Sequence, residues 1–410
     1  MTSPLDRQAR DVRDAARVLA RTSDTVRREV IRDVAERLIV ATDDILRANE
    51  LDLADYDGDA TGRDRLKLSA ERIRGVADGL RDVADLPNPL GEVVSSDVRP
   101  NGLVVQRVRV PLGVVGVIYE NRPNVTMDVA ALCLRSGNAA FLRGSSSAQR
   151  SNRALVGVWH AALAAAGLPS ASVSLVDDPS HATATQFMKL NGFIDCLIPR
   201  GGPSLIAAMR EHATVPYVID GDGNCHVYVD VDADVDMALA IITNAKTSRP
   251  GVCNAAESIL VHDEIADRIL PRLSAALPNV EIRGDARVCA AIATATPASD
   301  EDFASEFLGP IVSVAVVPSV EAAIEHVALY GTGHSEAIVT ENEKTALRWI
   351  TEVDAAAVLV NASTRFVDGG ELGLGAEVGI STQKLHARGP MGIKELTCVK
   401  WVVQGKGHVR

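Results

Sequence analysis

Between Val114 and about Asp236 the chain alternates short apolar runs with amphipathic stretches, and this restricts the fold more than any other feature. The runs at 114–119, 139–143, 173–176 and 196–199 are apolar nearly throughout, as strands covered on both faces must be. Helical spacing fills the gaps at 127–134, 150–166, 183–190 and 204–209. Strands alternating with helices predict a parallel, doubly wound sheet, with a dinucleotide at the carboxyl ends of its strands. A second alternation covers 238–360, with strands near 258–261, 311–317, 336–340 and 357–361. The expected chain is therefore α/β with two doubly wound domains, residues 1–236 and 237–360, followed by residues 361–410.

The flanking segments have other periods. Residues 5–85 read as amphipathic helices, and Asp-Leu-Pro-Asn-Pro-Leu-Gly at 85–91 as a linker. Residues 93–110 read as two β-runs around Arg99-Pro-Asn-Gly102. A ribbon of that kind leaves unpaired edges unless another strand or subunit covers them. The formal charge of −12 argues against nucleic acid or an anionic membrane as partner. No run approaches the roughly 18 apolar residues of a membrane span. Six cysteines without CxxC spacing fit a reducing cytoplasm rather than a disulfide scaffold or a zinc site.

The stretch 244–257, Asn-Ala-Lys-Thr-Ser-Arg-Pro-Gly-Val-Cys-Asn-Ala-Ala-Glu, presents Cys253 just after a Pro-Gly turn, among residues too small to shield it. A nucleophilic thiol needs positive charge or a helix N-terminus nearby, and Lys246 and Arg249 offer the charge. An inert core cysteine is the ordinary alternative. Arg143-Gly-Ser-Ser-Ser147 follows the second strand, where Arg143, Gly144 and Ser145 could meet a ribose 2′-phosphate and so select NADP, or could form a plain surface loop. Arg200-Gly201-Gly202, between a strand and a helix, offers N–H groups and charge to a pyrophosphate. Cys225 and His226 are adjacent on a strand and point to opposite faces, so no metal is expected there.

Ser-Arg-Pro-Gly-Val-Cys-Asn-Ala at 248–255, Tyr-Glu-Asn-Arg-Pro-Asn-Val-Thr at 119–126, Pro-Arg-Gly-Gly at 199–202 and Gly-Asn-Cys-His-Val-Tyr-Val-Asp at 223–230 resemble the gamma-glutamyl phosphate reductase family. The likeness extends to Gly-Pro-Met-Gly-Ile-Lys-Glu-Leu-Thr at 389–397. It implies an aldehyde dehydrogenase-like fold with a cofactor domain, a catalytic domain and a β oligomerisation arm that includes strands near 396–404, with residues 361–410 returning to the cofactor domain and arm, and hence a homo-oligomer. It also implies NADPH-dependent reduction of gamma-glutamyl phosphate to glutamate 5-semialdehyde in proline biosynthesis, with glutamate 5-kinase as a candidate supplier of the substrate.

Carried onto this chain, the resemblance makes Cys253 the nucleophile, Asn121 an oxyanion donor and Glu306 the carboxylate for the nicotinamide ribose. Asp220 stands where hydrolytic relatives carry a water-activating glutamate, which suits a reductase that must keep its thioester. The substrate brings a carboxylate and an acyl phosphate, so two or more of Arg122, Lys246, Arg249, Arg365 and Lys384 are expected to bind it. A hydrolytic aldehyde dehydrogenase and a non-enzymatic scaffold are the rival readings.

Overall fold

The computed structural model describes residues 3–219 and 221–410. The chain divides into two compact units. The first comprises residues 3–219, Leu374–Gly379 and Met391–Arg410; the second comprises residues 221–373 and Ile380–Pro390.

The first unit begins with the helices Pro4–Leu19, Asp24–Val40, Thr42–Asp55, Ala60–Leu66 and Ala70–Asp85. Four of their starts are set by local chemistry, since the side chains of Ser3, Ser23, Asp59 and Ser69 each accept a backbone N–H of the first turn. Behind these helices lies a four-stranded parallel sheet in the order Val173–Leu175, Ala139–Gly144, Val114–Tyr119, Cys196–Arg200. The winding direction reverses between Val114–Tyr119 and Cys196–Arg200, which makes the crevice past their carboxyl ends the natural ligand position. Register brings the predicted ligand residues there together, because Tyr119 pairs with both Gly144 and Arg200. A separate three-stranded antiparallel ribbon joins Val93–Val98, Val104–Pro111 and Thr397–Gln404. Gly102, at φ +88°, supplies the left-handed residue that its tight turn requires.

The second unit is built on seven parallel strands in the order Thr296–Pro297, Glu281–Gly284, Ile311–Val317, Ala256–His262, Cys225–Val229, Ser335–Val339, Ala357–Val360. Val227, Val229, Ile259, Val261, Val312 and Val339 bury one face of this sheet against Ile242, Ile269 and Leu270 of the helices Val235–Thr247 and Asp263–Ala276. Tyr228, Leu260, Ile338 and Trp349 fill the other face.

The boundaries differ from those expected at 236 and 360. Cys225–Val229 hydrogen-bonds to Ala256–His262 and Ser335–Val339, so it belongs to the second sheet. The return to the first unit starts at Leu374 and is interrupted by Ile380–Pro390. Glu281–Gly284 and Thr296–Pro297 were not foreseen, being too short and too polar to form an apolar run. No helix among the described residues is long and apolar enough to cross a membrane.

Candidate active site

The site residues expected from the sequence fall into two groups, one in each unit. In the first unit the residues just past the strand ends form a tight polar cluster. Glu120 donates its N–H to the carbonyl of Arg200 at 3.1 Å, and its carboxylate accepts the N–H of Gly202 at 3.1 Å. A side chain on Gly201 would stand 2.7 Å from the same carboxylate, so it would push the Glu120 side chain from its place. Gly144 is similarly constrained, because a Cβ there would meet Nδ2 of Asn152 at 2.1 Å. Arg200 is half-buried, and its charge opposes the upward push that burial exerts on the nearby Asp128 carboxyl, which rises to about 6.

Asn121 has a left-handed backbone at φ +33°. Its carbonyl oxygen accepts the hydroxyls of Ser145 and Ser147, and its Nδ2 donates to Tyr56 Oη at 3.3 Å. Beside it a cleft of about 490 Å³ is lined by Glu120, Asn121, Arg143, Ser145, Ser180 and their neighbours. Arg143 is 7 % exposed. Its Nη2 donates to the carbonyls of Pro179 at 2.6 Å and Ser180 at 3.2 Å, while its Nε is buried without a partner. Burial lowers the guanidinium's pKa, and Asp178 and Glu120 oppose that shift. An unmatched cationic donor at Arg143 and the serine hydroxyls beside it are what a phosphorylated dinucleotide needs, so these residues fit NADPH, whereas the Gly202 N–H expected to meet a pyrophosphate is taken by the Glu120 carboxylate.

In the second unit Cys253 sits half-buried in a turn between the helix Val235–Thr247 and the strand Ala256–His262. It therefore lies at the amino edge of its sheet, without a helix N-terminus of its own. Its peptide is held from behind. Cys225 Sγ donates to the Cys253 carbonyl at 3.1 Å, and a Cβ on Gly223 would lie 1.7 Å from that oxygen. Burial drives the Cys225 thiol well above its ordinary pKa, so it stays protonated and donates. Asp220, the shorter residue in place of a glutamate, lies outside the described residues.

The five expected substrate cations have different environments. Arg365 approaches the Cys253 loop: its Nη1 donates to Oδ1 of Asn254 and its Nε to Ser248 Oγ at 3.2 Å. Asn254 is itself fixed by donation to the Val367 carbonyl at 2.9 Å. Arg249 is exposed on the same loop, and Arg122 is half-buried in the first unit. Lys384 is exposed and shares Asp354 with Arg388, whose Nη1 lies 2.8 Å away.

Lys246 requires correction. It is 0 % exposed, and its ammonium is bound to Glu257, equally buried, so it reaches neither substrate nor thiol. Burial lowers the lysine's pKa and raises that of Glu257 to about 7, with their mutual attraction opposing both shifts. The second oxygen of Glu257 accepts the N–H of Leu308 at 3.2 Å. Leu308 follows Glu306, the half-buried carboxylate expected to meet ribose, by two residues. Sequence reasoning passed over Glu120, Tyr56, Cys225 and Glu257. Glu120 and Glu257 lie inside stretches already singled out, but nothing in their spacing marks them.

The aldehyde dehydrogenase family profile matches residues 3–290 and 283–402. Gamma-glutamyl phosphate reductase of Moorella thermoacetica is 51 % identical over 403 residues, covering 97 % of this chain and 96 % of its own. That of Caldanaerobacter subterraneus is 48 % identical over 411 residues, covering 98 % and 99 %. The solved structure of gamma-glutamyl phosphate reductase from Thermotoga maritima superposes with a TM-score of 0.97 at 44 % identity, each chain covered in full.

Proposed function

Since the chain belongs to the gamma-glutamyl phosphate reductases of the aldehyde dehydrogenase family, we propose that Cys253 carries the γ-glutamyl group as a thioester between two half-reactions. The enzyme reduces gamma-glutamyl phosphate to glutamate 5-semialdehyde with NADPH, the second step of proline biosynthesis.

The Cys253 thiolate attacks the γ-carbonyl carbon, an S–C bond forms, and the C–O bond to phosphate breaks with the electron pair leaving on phosphate. Phosphate is a good leaving group, so this step needs no strong base. NADPH, when bound, supplies the hydride that reduces the thioester carbon. Cys253 then departs as thiolate from the thiohemiacetal, which leaves the aldehyde and restores the enzyme. Backbone N–H groups around Cys253 and the Asn121 amide are the donors assigned to the oxyanion. Arg143, Ser145 and Arg200–Gly202 are assigned to the dinucleotide, and Glu306 to its nicotinamide ribose. Arg365, Arg249, Arg122 and Lys384 remain the cations for the substrate's two anionic ends.

The observation that carries this reading is the turn at Cys253, fixed from behind by Gly223 and Cys225, with the Arg365 guanidinium bound to the next residue. The free thiols fit a cytoplasmic enzyme, the ribbon fits a homo-oligomer, and glutamate 5-kinase chemistry supplies the acyl phosphate.

The reverse reaction tests the assignment. With glutamate semialdehyde and NADP, NADPH should form to about one equivalent per site and stop, then continue when inorganic phosphate is added. Sustained turnover without phosphate, yielding free glutamate, would mean a hydrolytic aldehyde dehydrogenase. Cys253→Ser should lose more than about a hundredfold in rate while still binding NADPH.

A further inference from the structure

Lys246 and Glu257 bracket the nucleophile. Lys246 lies in the last turn of the helix Val235–Thr247, Glu257 is the second residue of the strand Ala256–His262, and the loop between them contains Cys253. Their direct contact closes that loop at its two ends, wholly out of solvent. Glu257 also reaches outward. Its free oxygen takes the N–H of Leu308, a residue in the left-handed region at φ +53°, where leucine is uncommon. The carbonyl of Leu308 in turn lies 3.6 Å from where a side chain on Gly251 would stand, two residues before the thiol. One carboxylate thus joins both ends of the Cys253 loop to the segment that carries Glu306. Stability alone is a poor reason to keep such a pair, because well-packed apolar replacements of buried ion pairs are often neutral or stabilising.

We propose that Glu257, assisted by Lys246, is a positioning residue that holds the Cys253 loop and the Glu306 segment in one arrangement, so that the thiol and the ribose-binding carboxylate are set together. This rests on the reductase reading above. Neither side chain touches substrate or cofactor. Lys246 acts by bridging the loop, and Glu257 by bridging the loop and holding Leu308.

The test compares two uncharged replacements in the full-length enzyme, Lys246→Met/Glu257→Gln and Lys246→Met/Glu257→Leu, assayed with glutamate semialdehyde, NADP and phosphate. Both remove the charges, but only the glutamine can still accept from Leu308. With melting temperatures matched, the leucine variant should have a kcat roughly tenfold or more below that of the glutamine variant, with KM for NADP raised severalfold. Equal kcat and KM in the two variants would overturn the proposal. If the leucine variant does not fold, Lys246→Met alone decides. There the carboxyl keeps Leu308 and only the bridge across the loop is cut, so kcat should fall while KM for NADP stays; an unchanged kcat overturns the role. A wild-type chain with no NADP-linked turnover would instead remove the reductase reading, and this proposal with it.

Discussion

Arg143 spends its Nη2 on the carbonyls of Pro179 and Ser180, while its Nε edge is buried without a partner. If that edge meets a 2′-phosphate, the contact is charge-assisted and worth about 1.5–3 kcal/mol. Arg143→Ala should then erode the preference for NADPH over NADH by one to two orders of magnitude, read as the ratio of the two kcat/KM values. An unmoved ratio would leave Arg143 as a brace for the 178–181 loop. Gly223 is the stricter position. Because a methyl group there would collide with the Cys253 carbonyl, Gly223→Ala should displace the nucleophile and cost about a hundredfold in kcat while sparing NADPH binding. His334 gives a pH signature. Burial lowers its pKa from 6.5 to about 4, so the folded chain keeps it neutral where the unfolded chain protonates it. The stability this contributes is complete above pH 6.5 and is lost as pH falls toward 4, at about 1.4 kcal/mol per pH unit. Burial lowers His326 further, to about 3, and adds a loss in the same direction, so urea titrations of wild type and His334→Leu between pH 7 and 4.5 should differ in slope by about that amount, the variant being the shallower.

Elements differed in how far their own residues announced them. Val114–Tyr119 and Ile311–Val317 stand out because parallel strands covered on both faces must be apolar throughout. Cys225–Val229 has the same signature, yet which sheet it joins depends on partners dozens of residues away, and local composition carries no record of them. The same limit explains Lys246. Seven residues before a cysteine it looks like an activating charge, and only the folded helix shows it turned into the core toward Glu257. Cys253 stands out after a Pro-Gly turn among small residues, but an inert core cysteine would read the same there, and the nucleophile's role rests on the resemblance of the surrounding stretch. Cys225 was not legible, because a strand cysteine looks like core filling until its donation to a carbonyl is seen. The ribbon allows a prediction at this scale. Val93, Val94, Val98, Trp401 and Val403 are exposed on it, with Arg107 over the Trp401 ring at 5.6 Å. If subunits associate there, Trp401→Glu should shift the sedimentation coefficient toward the monomer without loss of the thiol's alkylation. An unchanged coefficient would place the contact elsewhere.

At the scale of the whole molecule, the second unit is an insertion, since the first resumes at Leu374–Gly379 and again at Met391–Arg410. The returning tail is structural. Thr397–Gln404 pairs along the full length of Val104–Pro111, and the carbonyl of Leu396 accepts from the buried Asn138 amide at 2.8 Å. Deleting 391–410 should therefore abolish NADPH binding while the seven-stranded sheet keeps its slow-exchanging amides, a result readable by hydrogen exchange on the two units. On the ribosome this layout inverts the usual order of completion. A chain translated as far as Pro390 already contains every strand of the second sheet, while the earlier-made unit still waits with one side of its ribbon bare. The part synthesised first is finished last, and the bare edge of Val104–Pro111 is where a nascent chain of this protein would be most open to capture by a neighbour or in need of a chaperone.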